Sequence, residues 1–227
     1  MNNVIALVPM KGHSERVPNK NIRNFAGKPL FFWVLSTLAE SPHVKEVHVD
    51  TDSDKIRNNI YEHFGPSVNI INRPEPLCGD YVSVNKIIEH DLSVIKDRHF
   101  IQTHVTNPLL DSSTIECAII KYFEAISIGY DSLFSATRYQ SRFYTHKGTA
   151  INHDPRRLIR TQDLHPVYEE NSNFYIFSRE SFQTTSARIG KRPYLFEIPK
   201  AKDLDIDDES DFSLGEVLFR LIKHEEI

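Results

Sequence analysis

Cysteine is almost missing from this chain: Cys78 and Cys117 are the two among 227 residues. Two cysteines build no disulfide framework, and neither stands at a Cys/His metal-ligand spacing, so the composition suits a reduced, cytoplasmic setting. Cys78 reads as a small buried residue, with no neighbouring base or cation to make it a nucleophile. Glycine is scarce as well, with 8 residues scattered singly. Neither G-x-x-x-x-G-K-[ST] nor G-x-G-x-x-G occurs, which excludes the common glycine-rich phosphate loops. No apolar run reaches the roughly 18 residues of a membrane span, and the first residues lack the pattern of a secretory signal. An excess of positive charge is missing too; a net charge of −4 argues against a nucleic-acid binder. Eleven histidines include no H-E-x-x-H.

What is present is an alternation of apolar runs and helical periods in a chain long enough for one domain. Val4–Val8 predicts a buried strand. Phe31, Phe32, Val34, Leu35 and Leu38 recur at helical spacing behind Pro29. Further strands are expected over 44–49, 68–71, 100–104, 132–136, 174–177 and 194–198. Further helices are expected over 55–64, from Asp80 to about Ile95, from a cap in Ser112–Thr114 to about Ile128, and over 209–223. Strands separated by helices predict a doubly wound, mostly parallel α/β sheet with helices on both faces. Residues 138–160, aromatic and without helical period, predict an inserted arm or flap. In such sheets ligands sit beyond the carboxyl ends of the strands. Those ends carry the polar clusters 11–21, 50–54, 73–80 and 104–107.

The first cluster is Pro9-Met10-Lys11-Gly12-His13-Ser14-Glu15-Arg16-Val17-Pro18-Asn19-Lys20-Asn21. Backbone N–H groups and Ser14 can donate to a phosphate, and Lys11, Arg16 and Lys20 can offset its charge. Alone, the stretch reads equally as a solvated surface loop. Gly12-His13-Ser14 matches the start of a nucleophile elbow, but Arg16 stands where the second glycine belongs, which excludes that hydrolase motif. Asp205-Ile206-Asp207 sets two carboxylates on one side of an extended segment, a geometry suited to Mg²⁺. Alone, it also reads as acidic decoration of a helix start.

In order along the chain, these motifs resemble the CMP-sialic acid synthetases, the acylneuraminate cytidylyltransferases. The family opening P-A-R-G-G-S-K-x-x-P-x-K-N is matched at Pro9, Gly12, Ser14, Pro18, Lys20 and Asn21, with Lys11 for the arginine and Glu15 for the lysine. R-P-x-E-L-x-x-D resembles Arg73–Asp80. Q-P-T-S-P-L resembles His104–Leu109, with His104 in the glutamine's place. R-x-Q-D and Y-E-N-G resemble Arg160–Asp163 and Tyr168–Asn171, and D-I-D is intact at Asp205–Asp207.

The resemblance implies a Rossmann-like nucleotidyltransferase that joins CTP to an eight- or nine-carbon 2-keto-3-deoxy sugar acid, releasing pyrophosphate. It implies that Lys11, Gly12, Ser14, Arg16, Lys20 and Asn21 hold the triphosphate, and that Arg73, Asp80 and Ser83 frame the nucleoside. His104, Thr106, Asn107, Arg160, Gln162, Tyr168, Asn171 and Tyr175 would line the sugar side. Asp205 and Asp207 would hold Mg²⁺, or Mn²⁺, with Lys20 and Asp207 catalytic. The base is left open between Asp207 and a metal-bound hydroxide. A homodimer joined through the 138–160 arm is also implied. Two other readings remain: a D-x-D glycosyltransferase, and a nucleotide-binding relative without turnover.

Overall fold

The computed structural model describes residues 2–225, and of 223–225 the backbone only. The chain runs β1 (Val4–Leu7), a short hairpin of β2 (Asn24–Phe25) and β3 (Lys28–Pro29), α1 (Leu30–Glu40), β4 (Val44–Thr51), α2 (Asp54–Phe64) and β5 (Val68–Asn72). It continues through α3 (Val84–Val94), β6 (His99–Thr103), α4 (Ser112–Ser127), β7 (Ser132–Tyr139), β8 (Val167–Ser178), α5 (Arg179–Thr185), β9 (Pro193–Ile198) and α6 (Glu209–Glu225). Seven strands form one sheet in the order β5-β4-β1-β6-β8-β7-β9. Six share a direction, and β8 opposes both neighbours. The expected doubly wound, mostly parallel α/β architecture is therefore observed. No described helix is long and apolar enough to cross a membrane.

Alternation along β1 sends Val4 and Ala6 to one face and Ile5 and Leu7 to the other. The first face is covered by α1, α2 and α4 through Val34, Leu35, Ile56, Ile60, Ile115 and Ile119. The second is covered by α3 and α5 through Ile88, Leu92 and Phe182, packed with Leu7, Phe100, Tyr175 and Phe177. A third cluster sits off the sheet: Phe212 and Phe219 of α6 close on Val17, Phe25, Leu30 and Ile206. Phe25 meets both α6 rings edge-on, at 5.4 and 5.5 Å between centroids. Gly215 permits this approach, because a Cβ there would stand 2.7 Å from Leu204 Cδ2.

Several boundaries differ from expectation. The helix expected from Asp80 begins at Val84, because Gly79 takes a positive φ of 110° and the following residues turn before the helix starts. Asp111, not Ser112–Thr114, caps α4: its Oδ1 accepts from the Thr114 backbone at 2.8 Å. Cys78 is half-buried and not fully enclosed. The hairpin β2–β3 and the seven-residue α5 are too short to leave a periodic signal. The irregular stretch after β7 has one isolated bridge, Tyr144 to Ala150, and exposes Tyr144, Ile151 and Leu158.

Where β4 ends, Asp50 is buried against Arg73, whose Nε bonds its carboxylate and whose Nη2 donates to its carbonyl at 3.1 Å. Asp91 of α3 is buried near Asp50, and both its carboxylate oxygens, like Asp50 Oδ2, lack a donor. Burial, then the Asp50 charge, pushes its carboxyl up to about 9. The folded chain thus holds a proton that an unfolded aspartate releases above about pH 4. Folding stability falls as pH rises through that window. Asp91→Asn keeps the shape of the side chain and removes the titration. The slope of melting temperature against pH between 5 and 8 is expected to be flatter in Asp91→Asn than in the parent chain. An unaltered slope in thermal unfolding would remove the assignment of the proton to Asp91.

Candidate functional site

The chain winds from β1 outward through β4 to β5, then returns to place β6 on β1's other side. A cleft of about 460 Å³ opens beyond the carboxyl ends of β1 and β6, at this reversal. The loop after β1 supplies Lys11, Ser14, Arg16, Lys20 and Asn21; the stretch after β5 supplies Arg73 and Asp80; the loop after β6 supplies His104 and Thr106.

The first loop is held in place at several points. Gly12 N–H donates to Asp52 Oδ1 at 2.6 Å, and Asn21 Nδ2 donates to the Lys11 carbonyl at 2.9 Å. A Cβ on Gly12 would lie 2.7 Å from Ser53 Cβ, so the loop sits against the turn after β4 only because residue 12 has no side chain. Gly12→Ala is expected to cost about 1–3 kcal/mol through overpacking. Thermal unfolding checks this; an unchanged melting temperature would show that the loop moves freely.

The last stretch before α6 meets this loop. Arg16 Nη2 pairs with Asp207 Oδ1 at 2.6 Å, and Lys20 Nζ donates to the Ile206 carbonyl at 2.7 Å. Ile206 N–H donates to the Thr106 carbonyl at 2.9 Å. Ile206 is fully buried in the α6 cluster, which fixes the acidic residues on either side of it. Asp205 is largely enclosed; burial raises its carboxyl, opposed by Thr106, and its Oδ1 has no hydrogen-bond partner. Desolvation lowers the Lys20 ammonium, against the pull of Asp207 and Asp205. Lys11 pairs with Asp80 at 2.7 Å across the mouth of the cleft, and that bond lowers the Asp80 carboxyl. His13, Glu15 and Asp80 form an exposed cluster nearby.

Some expected site residues stand elsewhere. Asn107 is fully buried and donates to the Leu204 carbonyl at 2.9 Å, tying the β6 loop to the acidic segment. Asn171 is spent within the sheet. β8 bulges opposite Ser135, with Ser172 at φ 58°, and the Asn171 amide closes the bulge through Ser135 and Thr137. Arg160 pairs with Asp163 on an exposed turn, and the Gln162 carbonyl accepts from Gln140. Tyr168 lies on β8 opposite Arg138. Ser83 precedes α3 without capping it. None of Asn107, Asn171, Arg160, Gln162, Tyr168, Tyr175 and Ser83 lines the cleft within this chain, and the acidic segment Asp205–Asp207 meets it through Arg16, Lys20 and Thr106. Tyr175 is buried, its hydroxyl bonded to Glu170, and burial raises that phenol to about 12.

Other residues were not singled out in the sequence. Asp211 accepts from the Asp207 and Asp208 backbones, both at 3.0 Å, and shapes the acidic turn; its i,i+3 spacing from Asp208 is a readable capping pattern. Arg188, in the loop after α5, lies 3.6 Å over the Tyr175 ring and donates to Gln102 and His104. Nothing in sequence singles it out.

Comparison with known proteins identifies the chain's family and relatives. Residues 5–224 match the family model described as Cytidylyltransferase. The chain is 27% identical over 215 residues to the N-acylneuraminate cytidylyltransferase of Streptococcus agalactiae serotype III, covering 92% of this chain and 51% of that one. It therefore spans about half the length of that relative. It is 25% identical over 232 residues to the pseudaminic acid cytidylyltransferase of Campylobacter jejuni, covering 97% of both. A solved CMP:2-keto-3-deoxy-manno-octonic acid synthetase, complexed with CTP, shares the fold with a TM-score of 0.75 at 13% identity, over 96% of this chain and 99% of that one. Matched over residues 5–224, nearly its whole length, the chain belongs to the cytidylyltransferase family.

Proposed function

We propose that this chain transfers CMP from CTP to the anomeric hydroxyl of a 2-keto-3-deoxy sugar acid of the sialic, pseudaminic or Kdo kind. One observation carries the reading: Arg16 and Lys20, which line the cleft, reach the acidic segment, Arg16 through Asp207 and Lys20 through the Ile206 carbonyl between Asp205 and Asp207. The anomeric oxygen forms a bond to the α-phosphorus as the bond to the pyrophosphate oxygen breaks. Such a transfer depends on alignment and charge compensation more than on covalent catalysis. Lys20, held by Ile206, and Arg16 are placed to take triphosphate oxygens. Both partners of the Arg16–Asp207 pair are more than half exposed, so each exchanges the other for a ligand at little cost.

The acidic segment fits a divalent cation. A buried carboxylate oxygen without a donor, Asp205 Oδ1, is the group a hard cation satisfies. Asp205 and Asp207 would hold Mg²⁺, or Mn²⁺, which would supply charge neutralisation at the phosphates. The sugar side falls to His104 and Thr106. The exposed arm after β7 is assigned to a homodimer contact, in which Arg160, Gln162 and Tyr168 would serve a partner's site; sedimentation checks the dimer.

The deciding experiment is pyrophosphate release from CTP and Mg²⁺ across a panel of sialic, legionaminic, pseudaminic and Kdo-type acids. Release with one acid is expected. Nucleoside diphosphate release from a sugar donor would favour a glycosyltransferase instead. CTP binding without any release would mark a relative without turnover.

A further inference from the structure

His104 takes its hydrogen-bonding character from its neighbours. Its Nε2 faces two donors: Arg188 Nη1 at 3.2 Å and Gln102 Nε2 at 3.2 Å. An arginine cannot accept, so Nε2 must. The Gln102 amide is itself oriented without ambiguity. Its Oε1 accepts from Arg188 Nη1 at 2.6 Å, and its Nε2 donates to the Thr103 carbonyl at 2.9 Å. A proton on Nε2 would set N–H against N–H on both sides. The proton of a neutral ring therefore sits on Nδ1, which has no hydrogen-bond partner among the described residues, in a side chain that lines the cleft.

Arg188 is held firmly enough to impose this. Its guanidinium lies 3.6 Å over the Tyr175 ring, and Nη2 stands 4.0 Å from Glu170 Oε1. Tyr175 and Gln102 are cross-strand partners on β8 and β6, so the platform belongs to the sheet itself. The Arg188 backbone N–H reaches Asn85 of α3 at 3.4 Å. Lys20, from the first loop, adds a second positive field. Burial, then Arg188 and Lys20, depresses the imidazolium to about 4, in agreement with the bonding.

We propose that Arg188 is a positioning residue that fixes His104 as a neutral imidazole with its Nδ1–H available to the cleft, making residue 104 a hydrogen-bond donor that selects the sugar acid. The assignment to the sugar rests on the function proposed above; the tautomer does not. A neutral donor suits a hydroxyl, carbonyl or carboxylate oxygen, and it remains a donor across the physiological pH range. A carboxamide at position 104 would donate without help from Arg188.

Two readouts test this. In ¹⁵N-histidine spectra of the free protein, with His104 identified by its loss in His104→Gln, the ring is expected as the Nδ1–H tautomer. Arg188→Met is expected to shift it toward Nε2–H, and Arg188→Lys to preserve it. A wild-type Nε2–H or imidazolium signal at pH 7 overturns the proposal with no variant or substrate needed. In kinetics, Arg188→Met is expected to raise the sugar-acid KM about tenfold, the scale of one lost hydrogen bond, with the CTP KM within about twofold. In the His104→Gln background the same change is expected to add less than about twofold. An equal penalty in both backgrounds would place the action of Arg188 elsewhere. If no acid in the panel supports pyrophosphate release, the proposed reaction fails, while the spectra still decide the tautomer.

Discussion

Asp207→Ala is expected to lower turnover by roughly 10²–10³-fold, the scale of losing one preorganised electrostatic contact to a developing charge. The folded state should survive. The ion pair lost, Arg16–Asp207, is half exposed on both sides, and such pairs are worth about 0–1 kcal/mol. Ile206, the anchor of this segment, keeps its place among Phe25, Phe212 and Phe219. The expected pattern is therefore a nearly unchanged melting temperature with a collapsed rate that added Mg²⁺ does not restore. Asp205→Asn should behave alike in rate, because it neutralises the enclosed carboxylate whose Oδ1 lacks a donor. Pyrophosphate release measured over a wide Mg²⁺ range checks both. Parent-like turnover in Asp207→Ala at saturating Mg²⁺ would remove the acidic pair from the chemistry.

Lys20→Ala is expected to raise the CTP requirement by about 10- to 100-fold, the cost of a charge-assisted bond worth about 1.5–3 kcal/mol. Desolvation lowers the Lys20 ammonium, which donates to the Ile206 carbonyl. It touches both halves of the site, so its loss should lower kcat as well as raise the CTP KM. Lys20→Arg is expected to rescue little, since a planar fork does not replace a compact ammonium in a half-buried slot. Initial rates against CTP concentration decide the matter. A parent-like CTP curve would detach the first loop from the triphosphate.

Much of this was legible in the sequence, for identifiable reasons. β1 is a central strand buried on both faces, so Val4–Val8 reads as an unbroken apolar run. α1 shows its helical period because its buried face packs on the sheet through Val34, Leu35 and Leu38. The cationic cluster was readable because it lies contiguously in one loop. Its meeting with Asp205 and Asp207 was not, since that depends on α6 packing across the β2–β3 hairpin. Asn171 matched its motif, yet the bulge in β8 turns its amide inward, a backbone event with no residue signature. Arg188 was invisible because its role arises from cross-strand register: Gln102 stands opposite Tyr175, and the loop after α5 drops the guanidinium between them and His104.

The seating of Ile206 between Val17, Phe25 and the rings of α6 has a consequence for the newborn chain. Synthesis proceeds from the N-terminus at about 5–20 residues per second, so the cationic loop emerges many seconds before its acidic counterpart. A ribosome-bound intermediate lacking α6 has no hydrophobic clasp to hold Asp205 and Asp207 beside Arg16. Under the proposed function, turnover would wait until α6 docks.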